Sequence, residues 1–99
     1  MARVEIAPEV ADDLDRILDH LLLVEVEDAA SRVSEIIAAV AVIEFNPLIG
    51  RLTEGGMREL VIGRGTCGYL ALYRYIPAIE IVLVLAVRSS REAGYPSRP

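Results

Sequence analysis

The feature that most constrains this chain is a change of hydrophobic period part-way along it. Before Asn46-Pro47, apolar residues recur at spacings of three and four. Beyond the glycine-bearing stretch Leu48 to Gly56 they recur at every second position. Helices place residues three and four apart on one face, whereas strands place alternate residues there. A helical first half must therefore be packed against a sheet-forming second half, which is an α+β arrangement. With 99 residues the chain has room for one such core, because domains typically run to about 100–150 residues. We expect a single domain over residues 1–99 with no internal repeat.

Arg3 to Ile6 alternates polar and apolar and predicts a short first strand, with Val4 and Ile6 pointing one way. Pro8 suits a first helical turn because its missing N–H would be unpaired there, and Glu9, Asp12 and Asp13 follow where the helix dipole favours negative charge. The spacing predicts a helix from Pro8 to Val24. Val10, Leu14, Ile17, Leu18, Leu21 and Leu22 form its core stripe, and the acids form a solvated face. Asp28 is positioned to cap a second helix, expected to reach Phe45, by accepting an early backbone N–H. Val33, Ile36, Ile37, Val40 and Ile43 are its apolar residues, with Leu18 and Ile37 expected in the core. Leu48 to Gly56 reads as a loop. Met57 to Ile62, Cys67 to Ile76 and Ile79 to Arg88 then read as a three-stranded antiparallel meander, with turns at Gly63 to Thr66 and at Pro77-Ala78. In the last strand both alternating sets are apolar: Ile79, Ile81, Leu83, Leu85 and Val87 on one face, Val82, Val84 and Ala86 on the other. Such a strand is interior, or has its outer face covered by a partner.

Charge narrows the functional classes. The formal net charge is −5, yet three arginines face eleven acids from Met1 to Pro47, while seven arginines face four acids from Leu48 onward. An acidic chain argues against a surface that simply adheres to nucleic acid. Every basic residue is arginine, so no mechanism can use a lysine. Cys67 is the sole cysteine, without the Cys/His spacing of a zinc site, and reads as a reduced thiol. No metal or cofactor is expected. The apolar runs Ile36 to Ile43 and Ile81 to Val87 are far shorter than the ~20 residues that cross a bilayer. Acids stand where a secretory signal would have its apolar stretch, so a cytoplasmic location is expected, with no membrane contact.

The order strand, helical hairpin, meander and basic tail resembles the RelE/ParE toxin superfamily over essentially the whole chain. Glu9 to Leu14 looks like the family's opening helix, and Asn46 to Arg51 is similar to its helix-ending proline and glycine pattern. The strongest match is Gly68 to Tyr75, followed by Val82 to Arg88 and then Arg91 to Tyr95. The resemblance implies the toxin of a type II toxin–antitoxin pair, of the kind that stabilises plasmids, held in a hetero-oligomer with its antitoxin. It leaves two targets open, since one branch of the superfamily cuts messenger RNA on the ribosome and the other inhibits DNA gyrase. Ribonucleases of the first branch use lysine and arginine, often with a tyrosine. Arginine stays protonated far above neutral pH and is a poor proton shuttle. The missing lysine therefore favours the ParE-like, gyrase-directed branch and no catalytic residue. The alternatives are a ribosome-dependent endoribonuclease and a relative that retains antitoxin binding without toxicity.

Arg58, Arg74, Arg88, Arg91 and Tyr95 are the candidates for target contact. For the first three, structural pairing with acids such as Glu59 or Glu80 stands beside contact with a target. Arg91 and Tyr95 lie in the tail, where the family's target-facing groups gather. Tyr69, Tyr73 and Tyr75 share one strand face and read as packing. His20, alone on the acidic first helix, is given no catalytic role.

Overall fold

The computed structural model describes residues 2–24, 27–63, 68–92 and 94–95. Strand β1 (Arg3–Ile6) leads into helices α1 (Glu9–Leu23) and α2 (Ala29–Val42). Then come β2 (Arg51–Leu52), β3 (Arg58–Ile62), β4 (Tyr69–Ile76) and β5 (Ile81–Ser89). They form one mixed sheet in the order β1-β5-β4-β3-β2. The expected meander is β3-β4-β5, antiparallel throughout. Strand β1 adds to it alongside β5 in parallel, pairing Val4 with Val82 and Ile6 with Val84. The stretch read as pure loop contributes β2, where Arg51 opposes Glu59. Of the expected turn residues, Arg64 to Thr66 lie outside the described residues, as does Cys67.

The hairpin covers one sheet face, and the core lies between them. Val10, Ile17 and Leu21 of α1 and Ile36, Val40 and Ile43 of α2 and its final turn are buried against Ala71, Tyr73, Val82, Val84 and Val87. Leu18 is partly buried against this core, but Ile37 is 55% exposed. The reason is rotational: the stripe of α2 runs through positions 36, 40 and 43, and position 37 lies about 100° further round the helix. Asp28 does occupy the N-cap of α2, but in a left-handed conformation, and its side chain accepts no capping hydrogen bond.

The register of β5 against β4 also departs from simple alternation. Leu72 opposes Ala86 and Tyr73 opposes Val84, which leaves Leu85 as an extra residue in a β-bulge. The bulge shifts the phase, so Val87 joins Val82 and Val84 beneath the helices rather than lying on the opposite face. Ile79 belongs to the 3-10 turn Pro77–Ile79 and not to the strand. The turn is closed by Glu80 in a left-handed conformation.

Where β1 ends at Ile6, the edge of β5 would be left open. Side chains of α1 complete it. The buried Asp13 carboxylate accepts the Val87 N–H at 3.0 Å, and Arg16 donates to the Val87 carbonyl at 3.2 Å. Asp13 is 1% exposed, so it does not belong to the solvated face expected of the acids. It falls in phase with Val10, Ile17 and Leu21, a signal present in the sequence.

Candidate functional site: the outer face of the sheet and the tail

The sheet face away from the helices receives Glu59 from β3, Leu70, Leu72 and Arg74 from β4, and Ala86 and Arg88 from β5. This follows from the alternation of each strand and the register between them. The cross-strand row Glu59–Leu72–Ala86 ends on a small residue that is 2% exposed. Tyr95 is brought back to this face and donates its hydroxyl to Glu59 Oε2 at 2.7 Å. Arg51 reaches the other Glu59 oxygen from β2. The Arg88 guanidinium lies 5.0 Å from the Tyr95 ring centre, within cation–π range. Glu59, 6% exposed, is thus a buried carboxylate held by a phenol and flanked by two guanidinium groups.

Two anchors fix the tail in this position. Glu92 accepts from Arg16 Nε and Nη2 at 3.0 and 3.1 Å, a bidentate pair, and Arg16 also donates to Asp13 at 2.8 Å. Arg88 Nη1 donates to the Glu92 carbonyl at 2.8 Å. One helical arginine therefore ties the edge of β5 to the tail. The sequence offered no signal for the Arg16–Glu92 contact, which spans most of the chain.

These contacts set the acid–base character of the face. Burial pushes the Tyr95 phenol up, and its hydrogen bond to the negatively charged Glu59 pushes it further in the same direction. For Glu59, burial alone favours the neutral acid. The hydrogen bonds from Tyr95 and Arg51 and the charges of Arg51 and Arg88 outweigh it, leaving the carboxyl below its ordinary value. A phenol that hard to ionise and a carboxylate that weak as a base are both badly matched to proton transfer near neutrality.

The expected site residues do not converge on one place. Arg74, exposed, and Arg88, half-buried, share the outer face with Tyr95. Arg74 donates to the Gly55 carbonyl at 3.0 Å. Arg58 belongs to the opposite face of β3, where it donates to the carbonyls of Gly50 and Leu48 at 2.8 and 3.3 Å and braces the α2–β2 connection. Arg91 lines a cleft beside α1, together with His20. Glu59 was foreseen only as a pairing partner for arginines, and Arg51, Arg16 and Glu92 were not foreseen at all. The packing role expected of Tyr69 and Tyr73 holds, since both are buried.

Among the described residues no helix is long and apolar enough to cross a membrane. No curated protein sequence matches the chain significantly. Among solved structures, the chromosomal ParDE toxin–antitoxin system of P. aeruginosa contains a chain 27% identical to this one, with a TM-score of 0.74, over 90% of this chain and 96% of that one. The RelBE2 toxin–antitoxin complex of Mycobacterium tuberculosis shares the fold at 23% identity and a TM-score of 0.55, over 89% of this chain and 96% of that one. So does the archaeal RelE–RelB complex of Pyrococcus horikoshii OT3, at 14% identity and a TM-score of 0.57, over 93% and 98%. The sequence profile of the ParE toxin of the type II toxin–antitoxin system parDE matches residues 4–94. The chain belongs to the ParE toxin family of type II toxin–antitoxin systems.

Proposed function

We propose that this toxin acts in the cytoplasm by binding DNA gyrase rather than by catalysing a reaction, and that a cognate antitoxin neutralises it. The observation that carries this reading is the Tyr95–Glu59 pair. The tail tyrosine, the group that could compensate for the missing lysine in ribonuclease chemistry, donates its proton to a buried carboxylate, and burial together with that hydrogen bond holds its pKa up. The arginines beside it can attract an anion but cannot move a proton. Glu59 moreover places a negative charge where a phosphate would need to approach Arg51 and Arg88. Target contact is assigned to Arg74, Arg88 and Tyr95 on the outer face and to Arg91 in the cleft beside α1, while Arg58 is assigned to bracing.

An antitoxin partner is supported by the toxin–antitoxin systems that resemble this chain. It is supported also by surface left apolar. Val61 on the outer face is 59% exposed, and β3 continues past the two residues of β2, which leaves the Leu60–Ile62 edge without a paired strand among the described residues. Open edges and apolar patches of this kind are where a second chain pairs.

The test is primer extension on messenger RNA in a purified translation system. With the wild-type chain added, no new cuts are expected. Codon-dependent cuts that vanish with Tyr95→Phe or Arg91→Ala would instead establish a ribosome-dependent endoribonuclease.

A further inference from the structure

Arg16 belongs to α1, which packs on the inner face of the sheet, whereas Arg88 and Tyr95 lie on the outer face. A short line of contacts joins them around the end of β5. Arg16 donates to the buried Asp13 at 2.8 Å and to both carboxylate oxygens of Glu92 at 3.0 and 3.1 Å. The Glu92 carbonyl accepts from Arg88 Nη1 at 2.8 Å, and the Arg88 guanidinium lies 5.0 Å from the centre of the Tyr95 ring. Glu92 thus faces both ways, with its side chain on the helix and its backbone on the outer face. Arg88 is placed by this line more than by its own bonding. Its Nε is buried and has no acceptor among the described residues, a costly position for a donor. The carbonyls of Ser89 and Glu92 hold the guanidinium there, while charge draws it towards Glu59.

We infer that Arg16 and Glu92 are positioning residues for the target-binding face: without touching the target, they set where Tyr95 and Arg88 are presented to it. The inference rests on the gyrase reading and gives that face a support on the far side of the sheet. The length of the tether sets the size of the effect. Ser89 ends β5 six residues before Tyr95, and Glu92 stands three residues before it. Fixed at Glu92, the chain to Tyr95 spans at most about 11 Å, which confines the phenol near Glu59. Released at Glu92, the tether runs from Ser89 and doubles. The effective concentration of the phenol at Glu59 then falls about threefold, as the inverse three-halves power of tether length. Arg88, loosed from the Glu92 carbonyl, can take the place of the phenol on Glu59. Both changes dismantle the same surface.

The experiment compares the full-length wild type with Glu92→Ala, Glu92→Gln, Arg16→Ala and the double variant of both alanines. The control is Glu5→Ala, which removes an exposed ion pair on β1. Two readouts are taken: the Tyr95 ring resonances across an alkaline titration, and the affinity for purified gyrase. In the wild type, burial and Glu59 hold the phenol up. In Glu92→Ala the phenol should ionise at lower pH, nearer the ordinary tyrosine value, and affinity should fall about threefold or more. The thermal melt should stay close to that of the wild type, because Glu92 serves the tail and not the core. Glu92→Gln keeps an acceptor oxygen and should restore part of both readouts. Arg16→Ala should match Glu92→Ala, and the double variant should add nothing further. The control should change neither readout. A Tyr95 titration unshifted in Glu92→Ala would overturn the inference, as would an unchanged gyrase affinity beside a shifted titration. Shifts that come with a general loss of amide protection in the core would overturn it too, by showing a structural role. A wild type that does not bind gyrase, with the titration still shifted by Glu92→Ala, would overturn the gyrase reading while upholding the placement of Tyr95 by Glu92.

Discussion

Tyr73 shows how closely single residues are fixed around the α2–β2 connection. Its hydroxyl accepts the Gly50 N–H at 2.8 Å and donates to the Pro47 carbonyl at 2.9 Å, closing the helix-ending Asn46-Pro47 turn onto β4. Position 50 must be glycine for a steric reason, since a Cβ there would lie 2.7 Å from the Tyr73 ring. Gly50→Ala should cost about 1–3 kcal/mol through overpacking. Tyr73→Phe should cost a similar amount, about 1–3 kcal/mol, by leaving a buried N–H unpaired. Urea denaturation measures both, and a neutral Tyr73→Phe would show that the hydroxyl is dispensable. Glu59 makes a prediction about pH. Because its folded pKa is lowered, its charged form stabilises the folded state above the ordinary glutamate value of 4.5. That contribution is lost as the pH falls from there through the lower folded value. Tyr95 should therefore leave β3 in acid, seen as a change in its ring resonances between pH 5 and about pH 2. In Glu59→Gln the resonances should not change over that window; an unaltered acid transition would place its origin elsewhere.

Elements carry the next set of expectations. The buried stripe of α2 and its final turn runs through Ile36, Val40 and Ile43, so Ile36→Ala should destabilise by about 2–5 kcal/mol as a core truncation. Ile37→Ala should stay within about 0.5 kcal/mol, as for a surface change. The reverse order would mean that α2 is turned the other way in solution. Asp13→Ala should cost about 1–3 kcal/mol because the Val87 N–H loses its acceptor. It should also speed amide exchange at Val87, whereas Asp13→Asn, which keeps an acceptor oxygen, should be milder. The same elements show what sequence pattern can and cannot carry. Helix and strand bounds were legible within a residue or two at every end but one, because burial on one face is written at every turn; α2, expected to reach Phe45, stops at Val42 and the chain turns through Ile43 to Phe45 instead. The rotation of α2 was not legible, since Val33, Ile36, Ile37, Val40 and Ile43 offer two overlapping stripes and only the packing of α1 and β5 chooses between them. Nor was the bulge at Leu85, because β5 is apolar at every alternate position on both sides and a phase slip leaves no mark in its composition.

At the scale of the whole molecule, the hairpin closes one sheet face and the tail covers part of the other. The tail is held by Arg16 at Glu92 and by Glu59 at Tyr95. Of the site, the sequence named Arg88 and Tyr95, which do meet, through their position in the tail and last strand. It could not reveal Glu59 as the group they share, because that contact exists only once β3, β4 and β5 are in register. The acidic and basic halves of the sequence also interleave on folding, with Arg16 of the first half bound to Glu92 of the second. The surface left over is an outer face rich in committed arginines, which the proposed function assigns to contact with gyrase. Purified gyrase relaxing or supercoiling plasmid DNA is the most direct measure of that claim. The account predicts that the chain inhibits supercoiling at concentrations comparable to the enzyme, that inhibition weakens with Arg74→Glu or Arg88→Glu, and that the antitoxin reverses it. Supercoiling that proceeds unchanged in a large excess of folded chain would contradict it.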